Sequence, residues 1–316
     1  MKLVIGFITY EKVTAKYLPY FLPSLKSQTF KNYKIIAIDN SEKQNNKNTE
    51  FIKKNYPEIN IGWAEKNIGF ARAYNKIIKE AIDSGLEYIL ILNPDMVLEP
   101  ETVKKLVEAM DNDSSLGSCG PKILRWNFEN NKKTNIIDTC GIKLKPGLKF
   151  ADIGQAQIDS NKFNHISILG PSGAAAMYRL SALEKVKFNG QYFDELMFMY
   201  KEDCDLAYRL FLTGFKSKCI GEAIIYHDRT AAAIGESDIE IAKNRKNKSR
   251  QVKEWSFLNQ QIIFLKYWHQ QNFLNKLAII WFEFKIILFI LLFEQYLLRQ
   301  YWDLWKIKDK IKKYEL

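Results

Sequence analysis

The stretch Tyr88-Ile89-Leu90-Ile91-Leu92-Asn93-Pro94-Asp95 is a short apolar run that ends in a carboxylate. Such a run is typical of a strand that is buried on both faces of a sheet. A second acidic cluster, Glu202-Asp203-Cys204-Asp205, opens a helical pattern about a hundred residues later. Because both clusters lie at the ends of elements, we expect their carboxylates to face one cleft, where a metal ion and a general base could act.

The chain before this strand alternates between short apolar runs and helical patterns. Asn67 fits the N-cap of the helix that precedes the strand, and Gly85 fits its end. The alternation favours an α/β fold with a mostly parallel, Rossmann-like sheet that helices cover on both faces. The pattern predicts strands at 3–9, 34–39 and 59–64 and helices at 17–28 and 68–84.

Three polar residues stand where predicted strands end. Thr9, Asp39 and Asp95 all fall at the carboxyl ends of strands. In open parallel sheets the ligand crevice lies at this edge. One site could therefore gather all three side chains.

The pattern changes after a helix that begins near Pro100. Shorter pieces bounded by turn residues predict mixed or antiparallel strands, and the small residues 173–176 indicate a close approach of backbone and ligand. A helix at 202–213 and a last strand at 216–227 follow. The shorter strands are predicted at 117–124, 139–146, 150–155 and 166–179.

Composition and charge limit the class of protein. The 316 residues are 47% hydrophobic, which is enough for a full core in one or two domains. Most of the net charge of +11 belongs to residues 241–316, which hold 15 Lys and Arg against 6 Asp and Glu. The four cysteines show no paired spacing, and the N-terminus lacks a signal-peptide cleavage site. We expect a cytosolic catalytic domain at 1–240 and a basic, aromatic-rich helical region at 241–316.

The C-terminal region contains the most hydrophobic part of the sequence. Glu283, Lys285 and Glu294 interrupt its apolar residues, so it is a poor transmembrane candidate. An amphipathic helical tail of this kind lies in a membrane interface or packs in a core or dimer seam. The lysines at 306–313 favour an anionic surface on the inner face of the cell membrane, with a homodimer as the alternative. The expected apolar surface is bounded by Trp281, Tyr296, Tyr301, Trp302 and Trp305.

Asp95 and His227 are the candidate metal ligands. Asp95 offers the hard oxygen that Mg²⁺ or Mn²⁺ prefers, and one carboxylate is enough when a diphosphate completes the coordination shell. His227 ends the last predicted strand and could supply a further ligand. The structural alternatives are an aspartate that caps a turn and a histidine whose hydrogen bonds are satisfied at a strand end.

Asp203 is the candidate general base. Glu202, Asp203 and Asp205 lie in the first turn of a helix, where the helix dipole alone would favour them, and Asp205 can pair with Arg209. The apolar and aromatic stretch at 192–200 could exclude water and raise the pKa of a neighbouring carboxylate toward that of a useful base.

The stretch Asn67-Ile68-Gly69-Phe70-Ala71-Arg72 is a candidate phosphate contact. It places a glycine and an arginine at the start of a helix, where N–H groups and a cation can meet phosphate oxygens. It matches neither the dinucleotide-binding nor the P-loop glycine pattern, which disfavours NAD enzymes and P-loop NTPases.

In their order and spacing these motifs resemble glycosyltransferase family 2, and within it the rhamnosyltransferase-like branch. The resemblance covers about residues 1–230. It implies a GT-A nucleotide-diphospho-sugar transferase fold, an inverting mechanism and a nucleotide-diphosphate sugar donor. It is carried by Thr9-Tyr10, Ser24-Leu25 with Gln28, Asp39-Asn40-Ser41, residues 67–71 and 92–95, Phe193-Asp194-Glu195, Tyr200, Glu202-Asp203, Asp205-Leu206, Arg209, Gly214 and His227.

The resemblance also implies how the donor would be held. Thr9, Tyr10 and Asp39 would hold the nucleoside, with Asp39 accepting a hydrogen bond from a pyrimidine base. Asp95 would bind the metal that bridges the two phosphates, joined by His227. The family often has an aspartate at the position of Asn93, and this departure is shared with the rhamnosyltransferase-like branch.

The remaining roles concern the diphosphate and the proton. Asn67, Gly69 and Arg72 would border the ribose and the diphosphate. Asp203, with Glu202 beside it, would take the proton from the acceptor hydroxyl as that oxygen attacks the anomeric carbon.

The leading hypothesis is an inverting transferase that moves rhamnose from dTDP-rhamnose, or a hexose from a UDP-sugar, to a lipid-linked or cell-envelope glycan. The alternative is a catalytically silent relative that binds a nucleotide or a lipid as an assembly partner. The presence of Asp95 and Asp203 argues against this alternative. Nucleic-acid binding would rest on the net charge of +11 alone, without a recognition motif.

Overall fold

The computed structural model describes residues 1–229 and 249–315. The strands are β1 (Leu3–Thr9), β2 (Tyr33–Asp39), β3 (Asn60–Trp63), β4 (Tyr88–Leu92), β5 (Met96–Leu98), β6 (Leu116–Asn127), β7 (Lys132–Thr139), β8 (Ile142–Lys145), β9 (Lys149–Asp152), β10 (Ser167–Ile168), β11 (Ala175–Arg179) and β12 (Lys216–His227). The helices are α1 (Glu11–Ala15), α2 (Leu18–Lys26), α3 (Lys47–Asn55), α4 (Gly69–Asp83), α5 (Thr102–Asn112), α6 (Leu180–Lys185), α7 (Glu202–Leu212), α8 (Arg250–Tyr267), α9 (Phe273–Phe293) and α10 (Leu298–Ile307).

One large sheet organises the first 229 residues. Its order is β10-β12-β6-β11-β4-β1-β2-β3, with β5 paired to β12 and β7 paired to β6. The β3-β2-β1-β4 half is parallel throughout, as predicted, while β11 runs antiparallel to both β4 and β6. The predicted α/β fold is therefore confirmed, with a Rossmann-like parallel half joined to a mixed half. β8 and β9 form a separate hairpin.

Helices cover both faces of the sheet. On one face α2 and α5 pack through side chains such as Phe21 and Val107, and on the other α4 and α7 pack through Ile77 and Leu210. Every residue of β4 is buried, as expected for a continuous apolar run in the middle of a covered sheet. The carboxyl end of β4 is thereby held in the centre of the molecule.

Several element boundaries differ from the prediction. The helix predicted at 17–28 is α2, and α1 before it was not predicted. α4 begins at Gly69, so Ile68 is its N-cap and not Asn67. The strand predicted at 166–179 divides into β10 and β11, because Pro171 between them cannot donate to a ladder. α3 was not predicted because it buries little apolar surface. It begins at a capping box formed by Asn46.

The C-terminal helices begin with α8, which packs on the preceding fold. Ile262, Ile263 and Tyr267 of α8 share a buried cluster with Tyr208 of α7 and Leu148 of the β8–β9 hairpin. The predicted domain boundary at 240/241 lies outside the described residues, so that division stays a prediction. Among the residues that the structure describes, no helix is both long and apolar enough to cross a membrane.

Candidate active site

The parallel pairing of β1 with β2 places Thr9 directly beside Asp39. Asp39 is fully buried, and its carboxylate accepts hydrogen bonds from Thr9 Oγ1 at 2.8 Å, Ser41 Oγ at 2.8 Å and Asn46 Nδ2 at 2.6 Å. A carboxylate has about four acceptor positions, so these bonds hold Asp39 rigidly and leave about one position for a ligand. Tyr10, the next residue along β1, is exposed at the rim of this edge.

The stretch predicted to border the phosphates contacts the segment before α7. Asn67 Oδ1 accepts from the N–H of Gly69 at 3.0 Å. Gly69 has φ +81°, and an added Cβ would lie 2.5 Å from the carbonyl oxygen of Phe198, so only glycine fits there. Arg72 is largely exposed, and its Nε lies 3.3 Å from Glu195 Oε2. The close contact with Phe198 therefore explains the glycine at position 69 apart from any contact with phosphate.

Two adjacent backbone groups join the two acidic clusters. The N–H of Gly173 donates to Asp203 Oδ2 at 2.8 Å, and the carbonyl of Ala174 accepts from the N–H of Asn93 at 2.9 Å. Because neighbouring Cα atoms are about 3.8 Å apart, the strand-end motif and the start of α7 must line the same cleft. The group that approaches the backbone at Gly173 is Asp203, and the close approach of a ligand to residues 173–176 stays a prediction.

Asp95 lies at the end of this cleft beside His227. Asp95 Oδ2 is 3.3 Å from His227 Nε2, while Asp95 Oδ1 is buried and has no hydrogen-bond partner among the described residues. The N–H of Asp228 donates to the backbone carbonyl of Asp95 at 3.0 Å. The ends of β4 and β12 are thus tied together, as the two metal-ligand predictions require.

Asp138, which sequence reasoning missed, holds His227 from its other side. Asp138 Oδ2 is 2.9 Å from His227 Nδ1, and Arg229 bonds both Asp138 and Asp152. Burial lowers the pKa of His227, but Asp95 and Asp138 raise it more, to about 10. Burial would raise the pKa of Asp138, yet His227 and Arg229 hold it below its ordinary value. The sequence signal was a carboxylate that follows Ile136 and Ile137 near the end of a mostly polar strand.

The fit of a divalent metal ion to this cleft depends on Asp95 and His227. In the ranges 1–229 and 249–315 no group of three or more His, Cys, Asp or Glu side chains is arranged to hold a metal ion. Asp95 nevertheless offers one oxygen, and His227 offers one nitrogen once an ion displaces its Nε2 proton. Asp95 Oδ1 is buried without a partner among the described residues. Asp138 orients the imidazole as carboxylates do for metal-bound histidines. The pair therefore fits an ion whose other ligands come from a diphosphate.

Asp203 and Glu202 differ in their surroundings. Asp203 is half-buried, with one carboxylate oxygen bonded to the N–H of Gly173 and the other to that of Cys204. Glu202 is 4% exposed and its Oε2 has no partner among the described residues. Burial and the nearby Asp203 raise the pKa of Glu202 well above its ordinary value. Glu202 therefore keeps its proton to higher pH than an ordinary glutamic acid does, beside the predicted base.

Asp205 belongs to a buried charge network, as its predicted pairing with Arg209 suggested. Arg209 Nε lies 3.0 Å from Asp205 Oδ2, and Lys266 Nζ of α8 lies 2.8 Å from Asp205 Oδ1 and 2.9 Å from Asp194 Oδ2. Burial would raise the pKa of Asp205, but Lys266 and Arg209 lower it. Sequence reasoning missed Lys266 because nothing in α8 predicted a buried lysine.

The fold and the cleft together are those of a GT-A glycosyltransferase, an enzyme class that transfers sugars from activated donors. The sequence model of the family described as "Glycosyl transferase family 2" matches residues 5–187. This match spans more than half of the 316 residues, and the chain belongs to that family. The expected family is confirmed, while α7 and the C-terminal helices lie outside the matched range.

Relatives and solved structures agree with the family. Two curated relatives from Mycobacterium tuberculosis, strains CDC 1551 / Oshkosh and ATCC 25618 / H37Rv, are N-acetylglucosaminyl-diphospho-decaprenol L-rhamnosyltransferases. Each is 23% identical over 248 residues, which cover 73% of this chain and 78% of the relative. The resemblance to the rhamnosyltransferase-like branch is thereby confirmed.

Two solved structures show the same fold. S. aureus TarS has a TM-score of 0.50 and 17% identity, over 84% of this chain and 49% of that chain. GalNAc-T7, solved with UDP, GalNAc and Mn²⁺, has a TM-score of 0.57 and 13% identity, over 83% of this chain and 51% of that chain. The chain therefore spans about half the length of these two structures.

Proposed function

We propose that this glycosyltransferase moves rhamnose from dTDP-rhamnose, or a hexose from a UDP-sugar, to a lipid-linked or cell-envelope glycan with inversion. The contacts of Gly173 with Asp203 and of Ala174 with Asn93 carry this proposal, because they set a base across the cleft from the strand-end motif. The name of the mycobacterial relatives, which contains a rhamnosyl group and a decaprenol diphosphate, supports rhamnose and a lipid-linked acceptor. Such an acceptor would place the enzyme at the cytosolic face of the membrane.

In this mechanism Asp203 accepts the proton of an acceptor hydroxyl as that oxygen attacks the anomeric carbon. The bond from the anomeric carbon to the donor diphosphate breaks while the new bond forms, so one displacement inverts the configuration without a covalent enzyme intermediate. A positioned base contributes about 10²–10⁴ in rate. Burial and the nearby Asp203 raise the pKa of Glu202 and so favour its neutral form, which limits the negative charge beside that base.

The nucleoside would bind at the carboxyl edge of β1 and β2. Thr9, Ser41 and Asn46 orient the carboxylate of Asp39, whose remaining acceptor position suits the N–H of a pyrimidine base. Tyr10 is exposed next to it and would cover the base or ribose.

The diphosphate would lie between the start of α4 and the end of β4. Asn67, Gly69, Arg72 and Asn93 would border it there. Arg72 would have to leave Glu195, which costs little because exposed ion pairs are worth about 0–1 kcal/mol. Mg²⁺ or Mn²⁺ held by Asp95 and His227 would neutralise charge on the departing diphosphate.

The donor site is tested by isothermal titration with dTDP, UDP and their sugars, with and without Mn²⁺. We expect metal-dependent binding that Asp95→Ala abolishes and that the control Asp83→Ala, an exposed aspartate on α4, leaves unchanged. Absence of binding to every nucleotide would contradict the donor site.

Catalysis is tested by turnover with dTDP-rhamnose and an N-acetylglucosaminyl-diphospho-polyprenol. Asp203→Asn is expected to keep donor affinity and to lose roughly 10²–10⁴ in turnover. Nucleotide binding without turnover of any donor would instead favour a catalytically silent relative.

A further inference from the structure

Helix α9 exposes an apolar surface that the rest of the described chain does not cover. Only Ile279 and Ile290 of its 21 residues are buried. Phe273, Leu292 and Phe293 are 73%, 71% and 71% exposed. A contiguous apolar surface of this kind marks a site of interaction with another molecule or with lipid.

The acidic residues of α9 and its C-cap point toward the protein. Glu283 accepts hydrogen bonds from Gln261 at 2.8 Å and from Tyr301 at 3.1 Å. Glu294 is 7% exposed and lies 2.8 Å from Lys253 of α8. The two glutamates that interrupt the hydrophobic pattern in the sequence therefore do not interrupt the exposed apolar surface, whereas Lys285 lies at an exposed position of α9.

The following helix, α10, and the turn after it expose tryptophans with lysines beside them. Trp302 and Trp305 stack at 4.9 Å, and both are more than half exposed. Lys306 lies over the ring of Trp302 and Lys308 over that of Trp305, at 5.6 and 5.2 Å from the ring centroids. An aromatic ring beside a long cationic side chain suits the boundary between lipid tails and headgroups.

The charge around this surface distinguishes a bilayer from a second copy of the chain. Residues 306–313 hold five lysines and one aspartate. A two-fold dimer through this surface would bring two such basic segments close to each other, whereas anionic headgroups would neutralise them. We propose that α9 and α10 lie in the interface of an anionic bilayer, with α9 parallel to the membrane plane. The proposal rests on the proposed function in one respect, because a lipid-linked acceptor would explain why the enzyme binds a membrane.

Flotation of the full chain with phosphatidylcholine vesicles, with and without phosphatidylglycerol, tests this proposal. We expect flotation with the anionic vesicles, weakened by salt, and a loss of at least about tenfold in the double variant Leu292→Glu/Phe293→Glu. Ile158→Glu makes the same change at a 68% exposed side chain elsewhere and should float like the wild type. Trp302→Ser/Trp305→Ser serves if the first variant does not fold.

Three outcomes would overturn the proposal: no flotation of the wild type, equal flotation of the α9 variant, or a dimer in sedimentation that this variant dissociates. Flotation needs neither donor nor turnover. Its failure is therefore distinguishable from failure of the proposed function, which titration with nucleotides reports separately.

A second and independent observation concerns Asn259 of α8 and the segment that leads into Asp203. Asn259 is 1% exposed, and its Nδ2 donates to the carbonyls of Met199 at 2.9 Å and Tyr200 at 2.7 Å. Tyr200 and Lys201 both have positive φ, 73° and 68°, immediately before the acidic cluster. Non-glycine residues hold this conformation only when their surroundings enforce it.

We infer that Asn259 is a positioning residue for the base Asp203. Its amide fixes the two carbonyls from which the chain turns into α7, so it acts on Asp203 through the backbone. Gln260 offers a matched control, since its buried Nε2 donates to the carbonyl of Leu148 in the β8–β9 hairpin at 3.0 Å.

Asn259→Asp and Gln260→Glu both replace a buried amide donor by an isosteric acid. With dTDP-rhamnose and a polyprenol-linked acceptor, we expect Asn259→Asp to lower kcat about tenfold or more while donor affinity stays the same. Gln260→Glu should lower Tm to a similar extent and leave kcat within about twofold. Equal losses of kcat in the two variants would overturn the inference.

Hydrogen exchange gives a readout that does not depend on the proposed function. The amides of residues 199–205 should exchange faster in Asn259→Asp and not in Gln260→Glu. Unchanged exchange there in Asn259→Asp would refute the positioning role even if no substrate is turned over.

Discussion

Helices α8 and α9 follow one another in the C-terminal region and lie against their surroundings in opposite ways. α8 buries nine of its 18 residues, including Asn259 and Lys266, whereas α9, the more apolar helix, buries two of 21. Hydrophobic content therefore did not decide which helix packs inside. α8 packs against residues 1–229 because its apolar side chains enter a buried cluster there and its buried amide and lysine groups find hydrogen-bond and ion-pair partners.

The two helices of the C-terminal region therefore contact different surroundings. α8 donates to the carbonyls before α7 and supplies Lys266 to Asp194 and Asp205, so it is part of the machinery that shapes the cleft. α9 turns Glu283 inward and leaves its apolar side chains outside, so it offers a surface to something other than this chain.

The largest effect is expected at the buried lysine of α8. Lys266→Met would leave Asp194 and Asp205 without their shared cation, and breaking a buried ion pair costs about 3–5 kcal/mol. Urea unfolding measures the loss. The exposed pair of Lys79 with Asp83 is the control, and Lys79→Met should cost less than about 1 kcal/mol. A loss below 1 kcal/mol at Lys266 would mean that Arg209 alone satisfies Asp205.

Truncating an apolar side chain on each helix contrasts the two directly. Ile263 of α8 is fully buried, so Ile263→Ala should lower the free energy of unfolding by about 2–4 kcal/mol. Leu292 of α9 is 71% exposed, so Leu292→Ala should change it by less than about 0.5 kcal/mol. Thermal unfolding of the purified proteins without lipid compares them. Similar losses at both sites would show that α9 is covered in solution.

The opposite side of the segment held by α8 is tested at Gly69. Gly69→Ala would force a Cβ to 2.5 Å from the carbonyl of Phe198 at φ +81°, with an expected loss of about 1–3 kcal/mol. Gly62 in β3 has open space around it and no positive φ, so Gly62→Ala should be neutral or slightly stabilising. The denaturant midpoints of unfolding measure both changes. Equal midpoints for the two variants would show that the segment before α7 shifts to make room for the added Cβ.

The smallest effect is a dependence on pH. The pKa of Asp205 is lowered in the folded protein, where Lys266 and Arg209 outweigh burial. Its contribution to stability is therefore complete above the unfolded pKa of about 3.9 and is lost as pH falls through the lower folded pKa. The stability difference between the wild type and Lys266→Met should narrow below about pH 4. A constant difference down to pH 2 would contradict this role of Asp205.

The parallel half of the sheet followed from the sequence because its signals are local. Alternating apolar runs and helical periods predicted β1, β2, β3 and β4. Their carboxyl ends predicted that Thr9 and Asp39 lie together, and they put Asp95 at the same edge of the sheet. The helical spacing of Asp205 and Arg209 predicted their ion pair, since residues four apart share a helix face. The roles given to these residues in the donor site stay predictions for the titrations described above.

The partners of the cleft could not be read in the same way. Asp138 and His227 are 89 positions apart, and Asn259 lies 59 positions from Tyr200. No local period or spacing encodes such contacts, because they arise only when distant strands and helices pack together. Tyr296 and Tyr301 were predicted to bound the exposed apolar surface. In the structure Arg250 lies over the ring of Tyr296, and the hydroxyl of Tyr301 donates to Glu283.

By itself the sequence determined the α/β class, the family, the strand ends that form the cleft and the apolar character of the C-terminal region. Each of these depends on residue types at short spacing, which secondary structure converts directly into position. Only the tertiary structure decided that α8 belongs to the cleft and that α9 faces outward. Both outcomes depend on which buried charges and amides find partners across the fold, and the free energy of those contacts exists only once the distant elements have met.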